Sequence, residues 1–559
     1  GRGDSMKTKG LVCASVALLL AATSSKAYQL STHSWCVDDC VPSFSIDLTS
    51  FTSRGFFSDV IDQLRDAAPG WNHMQEDLCI GYANNTSASC YGDNTICARY
   101  EYEDSVFDDD PGVVAYNTLH YGLDIDCAPD LGNLWYYQVY NATYPFGMTA
   151  QAAHTYGSFV NTASHEFGHS MSLGDFPGAN GPNALMSYDA ERIFHSDDAN
   201  GLVNRYGVRA QGIKSRLGYG VNYTTGALNT FSSITQWSAT DYKTGVRPSI
   251  VGNWHQGIGG SYGWDYAAAW VVGTTIKVAL LKDNTDGSLQ VRSMLSLPCG
   301  QTRFSPSIAV GDSNQILVVW KNSGTSNILA TARLQAATDG SSLTYLECEG
   351  LSPYQPLSEP VVTFMPGRYR YVISWVMDGS TGTNSRHRIA AMVSTNTAGT
   401  NWNAPYTYEG SDPTFPEFVT SPWHAPALTC YNGLVLTSTC LMMYKQFRTA
   451  DTRWIDQQAF GMTADNTHLV TSATDWSTWN ESHAEMAIAS SLYDWLFTHV
   501  QNNGAKSYMQ YRVKRFSQGV GGHYRNYGTH SRADMVSRVG FPVAYNYRTD
   551  RFRFFWIER

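Results

Sequence analysis

Arg247-Pro248-Ser249-Ile250 begins a short, mostly apolar run that recurs along the second half of this 559-residue chain. Each clear copy is a proline followed by several apolar or small residues. The other copies are Ser305-Pro306-Ser307-Ile308, Glu359-Pro360-Val361-Val362, Ala425-Pro426-Ala427-Leu428, the weaker His483-Ala484-Glu485-Met486, and Phe541-Pro542-Val543-Ala544. Successive copies start 58, 54, 66, 58 and 58 residues apart. A segment of this length is enough for four strands, so each copy predicts one four-stranded sheet.

Units of nearly constant length that each form a sheet predict a six-bladed β-propeller over residues 208–559. The last copy stops at Arg559 after about two strands, and we expect residues 217–234 to supply the missing strands. One sheet would then contain strands from both ends of the repeat region, which removes an exposed sheet edge. An aromatic residue tends to end the strand after each run: Trp270, Trp320, Trp375, Tyr444 and Trp556.

Composition narrows the possible partners. The formal net charge is −10 and the sequence pI is about 5.8, with no basic run, so a nucleic-acid partner is not expected. Residues 1–27 predict a tag remnant followed by a secretory signal, because Lys7 and Lys9 precede the apolar run 11–22. That run is too short to span a bilayer, and no later segment is long and apolar enough. We therefore expect a secreted protein without a membrane span.

The cysteines support export. Cys13 lies in the predicted signal, which leaves ten of the eleven cysteines, and an even number in an exported chain favours disulfides. They form two groups, which suggests two separately cross-linked domains, although their connectivity stays open. The first group is Cys36, Cys40, Cys79, Cys90, Cys97 and Cys127, and the second is Cys299, Cys348, Cys430 and Cys440.

A different pattern lies upstream, in the stretch 162–175, TASHEFGHSMSLGD. On a helix His165 and His169 are one turn apart, so both imidazoles leave the same face and can bind one zinc ion. Glu166 beside them is a candidate general base for the water that zinc activates. An apolar stripe on the other side, formed by Val160, Ala163, Phe167 and Met171, is suited to packing. The alternative is a buried helix whose histidines only make hydrogen bonds.

With these residues the chain resembles the metzincin metallopeptidases, in particular the snapalysin and matrixin branches. Their pattern is H-E-x-x-H-x-x-G-x-x-H or D, followed by a turn containing methionine. The matching residues are His165, Glu166, His169, Asp175 and Met186, with Tyr188 where some members place a tyrosine.

One position departs from this family pattern. Ser172 stands where the family has glycine, and the glycine follows at Gly174. This displacement leaves Glu191 as an alternative to Asp175 for the third ligand.

The resemblance implies an α+β catalytic domain over residues 28–207 and a secreted zinc metalloendopeptidase that acts on a protein or peptide substrate. In that family His165, His169 and Asp175 would hold Zn²⁺, and Glu166 would take a proton from the activated water. Tyr188 would stabilise the oxyanion, and Met186 would lie beneath the metal without binding it. Separately, the loop Asp108-Asp109-Asp110 is either a structural calcium site or a solvated acidic turn.

The repeats themselves resemble sialidase-type propellers, and the stretch 394–402, STNTAGTNW, resembles a degraded aspartate-box turn. Sialidase chemistry needs an arginine cluster and a tyrosine nucleophile. Arg247 is one candidate arginine, but no spacing assigns the roles. We expect a propeller that recognises substrate or glycan. The alternatives for the whole chain are a carbohydrate-binding or adhesion protein, or a sialidase-like glycosidase, with a residual metal domain.

Overall fold

The computed structural model of the chain describes part of its amino-terminal region and most of its carboxy-terminal region. In the first region these residues are 29–30, 43–46, 81–82, 95–101, 115–121, 134–141, 159–171, 173–175, 186, 198 and 201–202. In the second they are 211–222, 227–258, 261–299, 301–322, 328–378, 387–408, 419–420, 425–430, 439–448, 453–464, 469–475, 486–503, 506–515, 532–536 and 540–557. The predicted signal (1–27) and the acidic loop 108–110 lie outside these ranges.

The amino-terminal region contains a five-stranded sheet with one helix beside it. Its elements are β1 (Gln29–Leu30), β2 (Ser43–Ile46), β3 (Gly81–Tyr82), β4 (Thr95–Glu101), β5 (Ala115–Tyr121), β6 (Leu134–Asn141), α1 (Phe159–Ser170) and β7 (Leu173–Gly174). The sheet order is β3-β2-β4-β6-β5, in which only β5 runs antiparallel to its neighbour. Helix α1 contacts β5, β6 and β7, and β1 pairs with β7.

The predicted α+β class is not met by this region. Apart from α1 and short helical turns, the described residues of the chain form strands and the turns and irregular segments between them. The physical reason lies in composition: the described segments are rich in aromatic and β-branched residues, as in Leu134–Asn141, and these favour strands. None of the described helices is long and apolar enough to cross a bilayer.

The carboxy-terminal region is a series of antiparallel sheets in a propeller-like arrangement. The strands before the first repeat are β8 (Gln211–Asn222), β9 (Ala227–Phe231), β10 (Thr235–Trp237) and β11 (Lys243–Thr244). The next two sheets are β12 (Ser249–Gly252), β13 (Tyr266–Val272), β14 (Thr275–Asp283) and β15 (Leu289–Ser296), then β16 (Ser307–Val310), β17 (Gln315–Lys321), β18 (Leu329–Ala336) and β19 (Leu343–Gly350).

The remaining strands continue the same plan. They are β20 (Val361–Met365), β21 (Arg370–Asp378), β22 (His387–Val393) and β23 (Tyr406–Tyr408), then β24 (Val419–Thr420), β25 (Ala427–Cys430), β26 (Thr439–Arg448), β27 (Arg453–Ala464) and β28 (Leu469–Asp475). The last are β29 (Ala487–Ser490), β30 (Asp494–Asn503), β31 (Lys506–Arg515), β32 (Arg532–Val536), β33 (Val543–Asn546) and β34 (Arg551–Trp556).

The first strand of each repeat lies innermost, and these strands contact one another in a closed cycle: β12, β16, β20, β25, β29, β33 and back to β12. Four of the sheets have four strands in simple order, fewer than the six regular blades that the sequence predicts. The sheet from β24 to β28 has five strands, and the sheet containing β33 and β34 has six. These two depart from the plan because extra short strands pair at their edges.

The repeat prolines mark the innermost strands. Pro248, Pro306 and Pro426 each come directly before the strands β12, β16 and β25. Proline is tolerated at the start of a strand, where its missing N–H removes no ladder hydrogen bond. The aromatic residues predicted for the following strand are completely or almost completely buried at Trp270, Trp320, Trp375 and Trp556. They pack between neighbouring sheets and contribute large buried apolar areas.

One sheet contains strands from both ends of the region. Strand β34 pairs with β33 on one side and with β8 on the other. A buried ion pair joins this sheet to the next, because Arg553 Nη2 lies 2.8 Å from Asp283 Oδ1. Asp283 Oδ2 accepts hydrogen bonds from Tyr266 (2.7 Å) and Asn546 (2.6 Å).

Short turns in successive sheets repeat one hydrogen-bonding pattern. Asp286 Oδ1 accepts from the backbone N of Ser288 (2.9 Å) and its hydroxyl (2.6 Å). Asp339 does the same with Ser341 (3.0 and 2.7 Å). These turns reach the preceding sheet: the carbonyl of Gly287, at φ +86°, accepts from Arg553 (2.7 Å).

Two disulfides lie in the propeller-like region. Cys299 is bonded to Cys348, and Cys430 to Cys440, whose strands pair at these two positions. All four cysteines of the second group are therefore bonded within that region, whereas the pairing of the first group lies outside what the structure describes.

Candidate functional site

Helix α1 presents its two histidines because its opposite side is anchored in the protein core. Ala163, Phe167 and Met171 are completely buried, as the apolar stripe predicts. The backbone N of Met171 donates to the carbonyl of Phe167 (2.9 Å), which extends the helical hydrogen bonding past Ser170. The chain then turns back through β7 and brings Asp175 over the histidine face.

Three donor atoms converge there. Asp175 Oδ1 lies 3.0 Å from His165 Nε2 and 3.3 Å from His169 Nε2. The two imidazole rings are perpendicular, with centroids 4.7 Å apart. Glu166 adds a carboxylate, since one oxygen of Glu166 and one nitrogen of each histidine all lie within 4.8 Å of one another.

This geometry fits a divalent metal ion. Bonds of about 2.0–2.2 Å at a tetrahedral angle place neighbouring donor atoms about 3.4 Å apart, close to the two distances observed. His169 Nδ1 lies 2.9 Å from the carbonyl of Leu173, so that nitrogen carries the proton and Nε2 keeps the lone pair that a metal needs. Two imidazoles and one carboxylate form a ligand set that zinc accepts.

In the metal-free protein the same atoms form an ion pair. Burial acts to lower the pKa of His169, but the hydrogen bond to Asp175 and the charges of Glu166 and Asp175 outweigh it and raise that pKa to about 9. Burial acts to raise the pKa of Asp175, yet the hydrogen bonds from His165 and His169 hold it well below its usual value. A metal ion that binds here must therefore displace a proton.

The structure describes some of the predicted site residues and leaves others outside the described ranges. It brings His165, Glu166, His169 and Asp175 together, and it buries Met186, whose backbone N donates to Asp198 Oδ1 (3.2 Å). The sequence did not predict this contact of Asp198, because the two residues are 12 positions apart and no local pattern links them. Tyr188, Glu191 and the calcium candidates Asp108, Asp109 and Asp110 lie outside the described residues.

A second candidate site is a cavity of about 110 Å³ between the innermost strands. Its polar lining comes mainly from the innermost strands of successive repeats, where Ser249 and Ser307 are each the first residue of a strand and Thr363 and Thr429 are each the third. The polar lining residues are Arg247, Ser249, Ser307, Thr363, Thr429 and Ser490. Its aromatic lining is Trp254, Phe364, Tyr545 and Tyr547.

The lining groups are held in place by backbone contacts. Ser307 Oγ accepts from Val362 N (3.0 Å), and Ser490 Oγ donates to the carbonyl of Cys430 (3.0 Å). Arg247 is 8% exposed, and its Nη1 donates to the carbonyl of Met486 (3.5 Å). The cavity therefore presents fixed hydroxyl groups and one buried cation.

Comparisons with known proteins found similarity among solved structures alone. No protein-family model matches the chain, and no curated protein matches it. Among solved structures, an endo-arabinase from Bacteroides thetaiotaomicron has 12% identity and a TM-score of 0.30, covering 44% of this chain and 89% of that one. The NanB sialidase from Streptococcus pneumoniae has 12% identity and a TM-score of 0.31, covering 54% of this chain and 41% of that one. An Aleuria aurantia lectin has 10% identity and a TM-score of 0.30, covering 54% and 84%.

These findings contradict the metzincin identification, because the similar structures found include no metallopeptidase. The metalloendopeptidase activity is contradicted with it, and a peptide substrate has no support. Secretion and the zinc ion stay predictions from the sequence. The physical reason is that two histidines one helical turn apart specify only a local ligand geometry. That geometry fixes neither the fold around the helix nor the bond that is cleaved.

Proposed function

We propose that this chain is a carbohydrate-binding β-propeller protein whose amino-terminal region holds one divalent metal ion. We also propose that the two irregular sheets count as blades, which gives six. The closed cycle of innermost strands supports this count, since each of the six sheets contributes one strand to it. The two disulfides support export to an oxidising compartment.

The cavity between the innermost strands is the observation that carries the proposal. A sugar presents many hydroxyl groups and apolar C–H faces, so it needs fixed hydrogen-bonding groups together with aromatic surfaces. The described lining offers both, in the hydroxyls of Ser307, Thr429 and Ser490 and the rings of Trp254 and Tyr547.

The lining favours binding over glycoside hydrolysis. Most glycosidases need two carboxylic acids on either side of the scissile bond. Among the residues that line the cavity, none is Asp or Glu, and Arg247 is the one cation. A sialidase-like mechanism is disfavoured as well, because a single arginine is not a cluster.

The metal site is a separate part of the proposal. His165, His169 and Asp175 would hold the ion, and zinc would supply Lewis acidity there. Glu166, 4% exposed and adjacent to these donors, is our candidate for holding a proton at its carboxylate. The role of Tyr188, and that of Glu191 as an alternative ligand, remain predictions from the sequence.

A glycan array followed by titration calorimetry tests the carbohydrate part. We expect the wild type to bind a defined glycan class and Arg247→Leu, Thr429→Val and Ser490→Ala to weaken that binding at least tenfold. Arg333→Leu is the matched control, since Arg333 pairs with Glu347 on an outer strand and does not line the cavity. The absence of glycan binding, or equal loss in the control, would overturn this part.

Metal content measured by inductively coupled plasma mass spectrometry tests the second part. We expect one equivalent of zinc per chain after dialysis against trace zinc, and none in His169→Ala. Glycan binding that persists after chelation would show that the two sites act independently. Retention of a full equivalent of zinc in His169→Ala would refute the assigned ligands.

A further inference from the structure

A buried polar chain connects β6 to α1 on the side of the helix next to the histidine face. Tyr140 donates its hydroxyl hydrogen to Gln138 Oε1 (2.9 Å), and Gln138 Nε2 donates to Ser170 Oγ (3.0 Å). Ser170 Oγ then donates to the carbonyl of Glu166 (3.1 Å). Tyr140, Gln138 and Ser170 are all 0% exposed.

The chain of hydrogen bonds has one direction. Ser170 uses its only hydrogen on Glu166, so it can only accept from Gln138. A flipped Gln138 amide could still donate its NH₂ to the Tyr140 oxygen, but its own oxygen would face Ser170 Oγ, whose hydrogen is used on Glu166, so the flip costs one buried hydrogen bond. The rotation of α1 about its axis is therefore tied to a fixed position on the sheet. Apolar contacts resist such rotation less, because hydrogen bonds weaken steeply with angle.

Small rotations of α1 matter for the metal ligands. An imidazole nitrogen lies about 6 Å from a helix axis, so a rotation of about 10° moves it by roughly 1 Å. Metal–ligand distances tolerate only about 0.2 Å. The network also interacts electrostatically with Glu166. Burial, and then the charge of Glu166, raise the pKa of Tyr140 well above its ordinary value.

We propose that Gln138, Tyr140 and Ser170 are positioning residues that set the rotation of α1 and so aim His165 and His169 at Asp175. This inference rests on the proposed metal site. The hydrogen bonds described above link the three residues to one another and to the backbone of α1, and in this proposal they act through the helix. Partners outside the ligand shell typically change metal affinity by about 10- to 100-fold.

The test is zinc affinity, measured by competition with a chromophoric chelator. We expect the dissociation constant to rise about 10- to 100-fold in Gln138→Met and Ser170→Ala, with one site retained. Ser170→Thr keeps the hydroxyl and stays within about threefold of the wild type. Val139→Ala is the control for simple destabilisation, because Val139 is buried on the same strand and takes no part in the network.

A second readout needs no metal. In the metal-free protein, ¹⁵N chemical shifts of His165 and His169 report their hydrogen bonds to Asp175, and we expect these shifts to change in Gln138→Met but not in Ser170→Thr. Tyr140→Phe, which removes one atom, replaces any variant that does not fold. Unchanged affinity and unchanged shifts in folded Gln138→Met and Ser170→Ala would overturn the inference. A wild type that binds no zinc would overturn the metal site itself and this inference with it, whereas loss confined to the network variants supports both.

Discussion

The buried pair of Arg553 and Asp283 gives the sharpest prediction of stability. The two side chains are 0% and 3% exposed and lie 2.8 Å apart, at the junction between the sheet of β33 and β34 and the sheet of β12 to β15. Replacing Asp283 with Leu leaves the Arg553 charge buried without its carboxylate. We expect a loss of about 3–5 kcal/mol in the free energy of unfolding.

The magnitude follows from the surroundings. At an effective dielectric constant of about 20, two charges at this distance attract by about 6 kcal/mol. Arg553 keeps two further acceptors, Ser215 Oγ (3.0 Å) and the carbonyl of Gly287 (2.7 Å), which reduces the cost. Burial raises the pKa of Asp283 although Arg553 opposes it, so desolvation is the larger effect. The double variant Asp283→Leu/Arg553→Met should therefore recover at least half of the loss.

Urea unfolding followed by tryptophan fluorescence measures these differences. Asp241→Ala is the control, because Asp241 pairs with Lys277 at the surface and should contribute at most about 1 kcal/mol. A loss below about 1 kcal/mol in Asp283→Leu would refute the reasoning. So would a double variant that is less stable than both single variants.

Three further outcomes are expected. The burial of Lys321 lowers its pKa from 10.5 to about 8. Between these pH values the unfolded state binds more protons than the folded state, so the free energy of unfolding rises with pH, by about 3 kcal/mol in total. Urea titrations between pH 7.5 and 10.5 should show this rise in the wild type and not in Lys321→Met. Asn396→Ala removes the side-chain acceptor for Thr400 N (3.1 Å) and should cost about 1 kcal/mol, with a lowered midpoint of thermal unfolding. With free zinc at 100 times its dissociation constant, the amino-terminal region should be about 3 kcal/mol more stable than after the zinc is removed by a chelator. His169→Ala should show no difference between these two conditions.

The innermost strands were predictable because a proline precedes most of them in the sequence. Proline inside a strand removes a ladder hydrogen bond, so prolines such as 248 and 306 indicate where a strand begins. The burial of Trp270 and Trp320 follows from their place in the next strand. The convergence of His165 and His169 was likewise readable, since helical spacing is a short-range property. The identity of a family was not readable from it, because a local spacing does not encode the sheet against which the helix packs.

Other features depend on contacts that are distant in the sequence. Gln138 meets Ser170 across 32 residues, and Arg553 meets Asp283 only when the sheets close into a cycle. The two irregular sheets arise from short edge strands such as Lys243–Thr244, which have too few residues to produce a pattern. The turns at Asp286 and Asp339 do carry a repeated signal, the tetrapeptide Thr-Asp-Gly-Ser at 285–288 and 338–341, which sequence reasoning passed over.

The position of β34 between β8 and β33 has a consequence for biosynthesis. On the ribosome β8 emerges more than 300 residues before its partner β34, so it must wait with an unpaired edge while the intervening strands are made. During that interval the unpaired edge is a target for chaperones and for association with other nascent chains. A ribosome stalled before β34 would carry a chain in which the cycle of sheets is not closed. We expect that incomplete chain to stay bound to chaperones and to be missing from the soluble fraction.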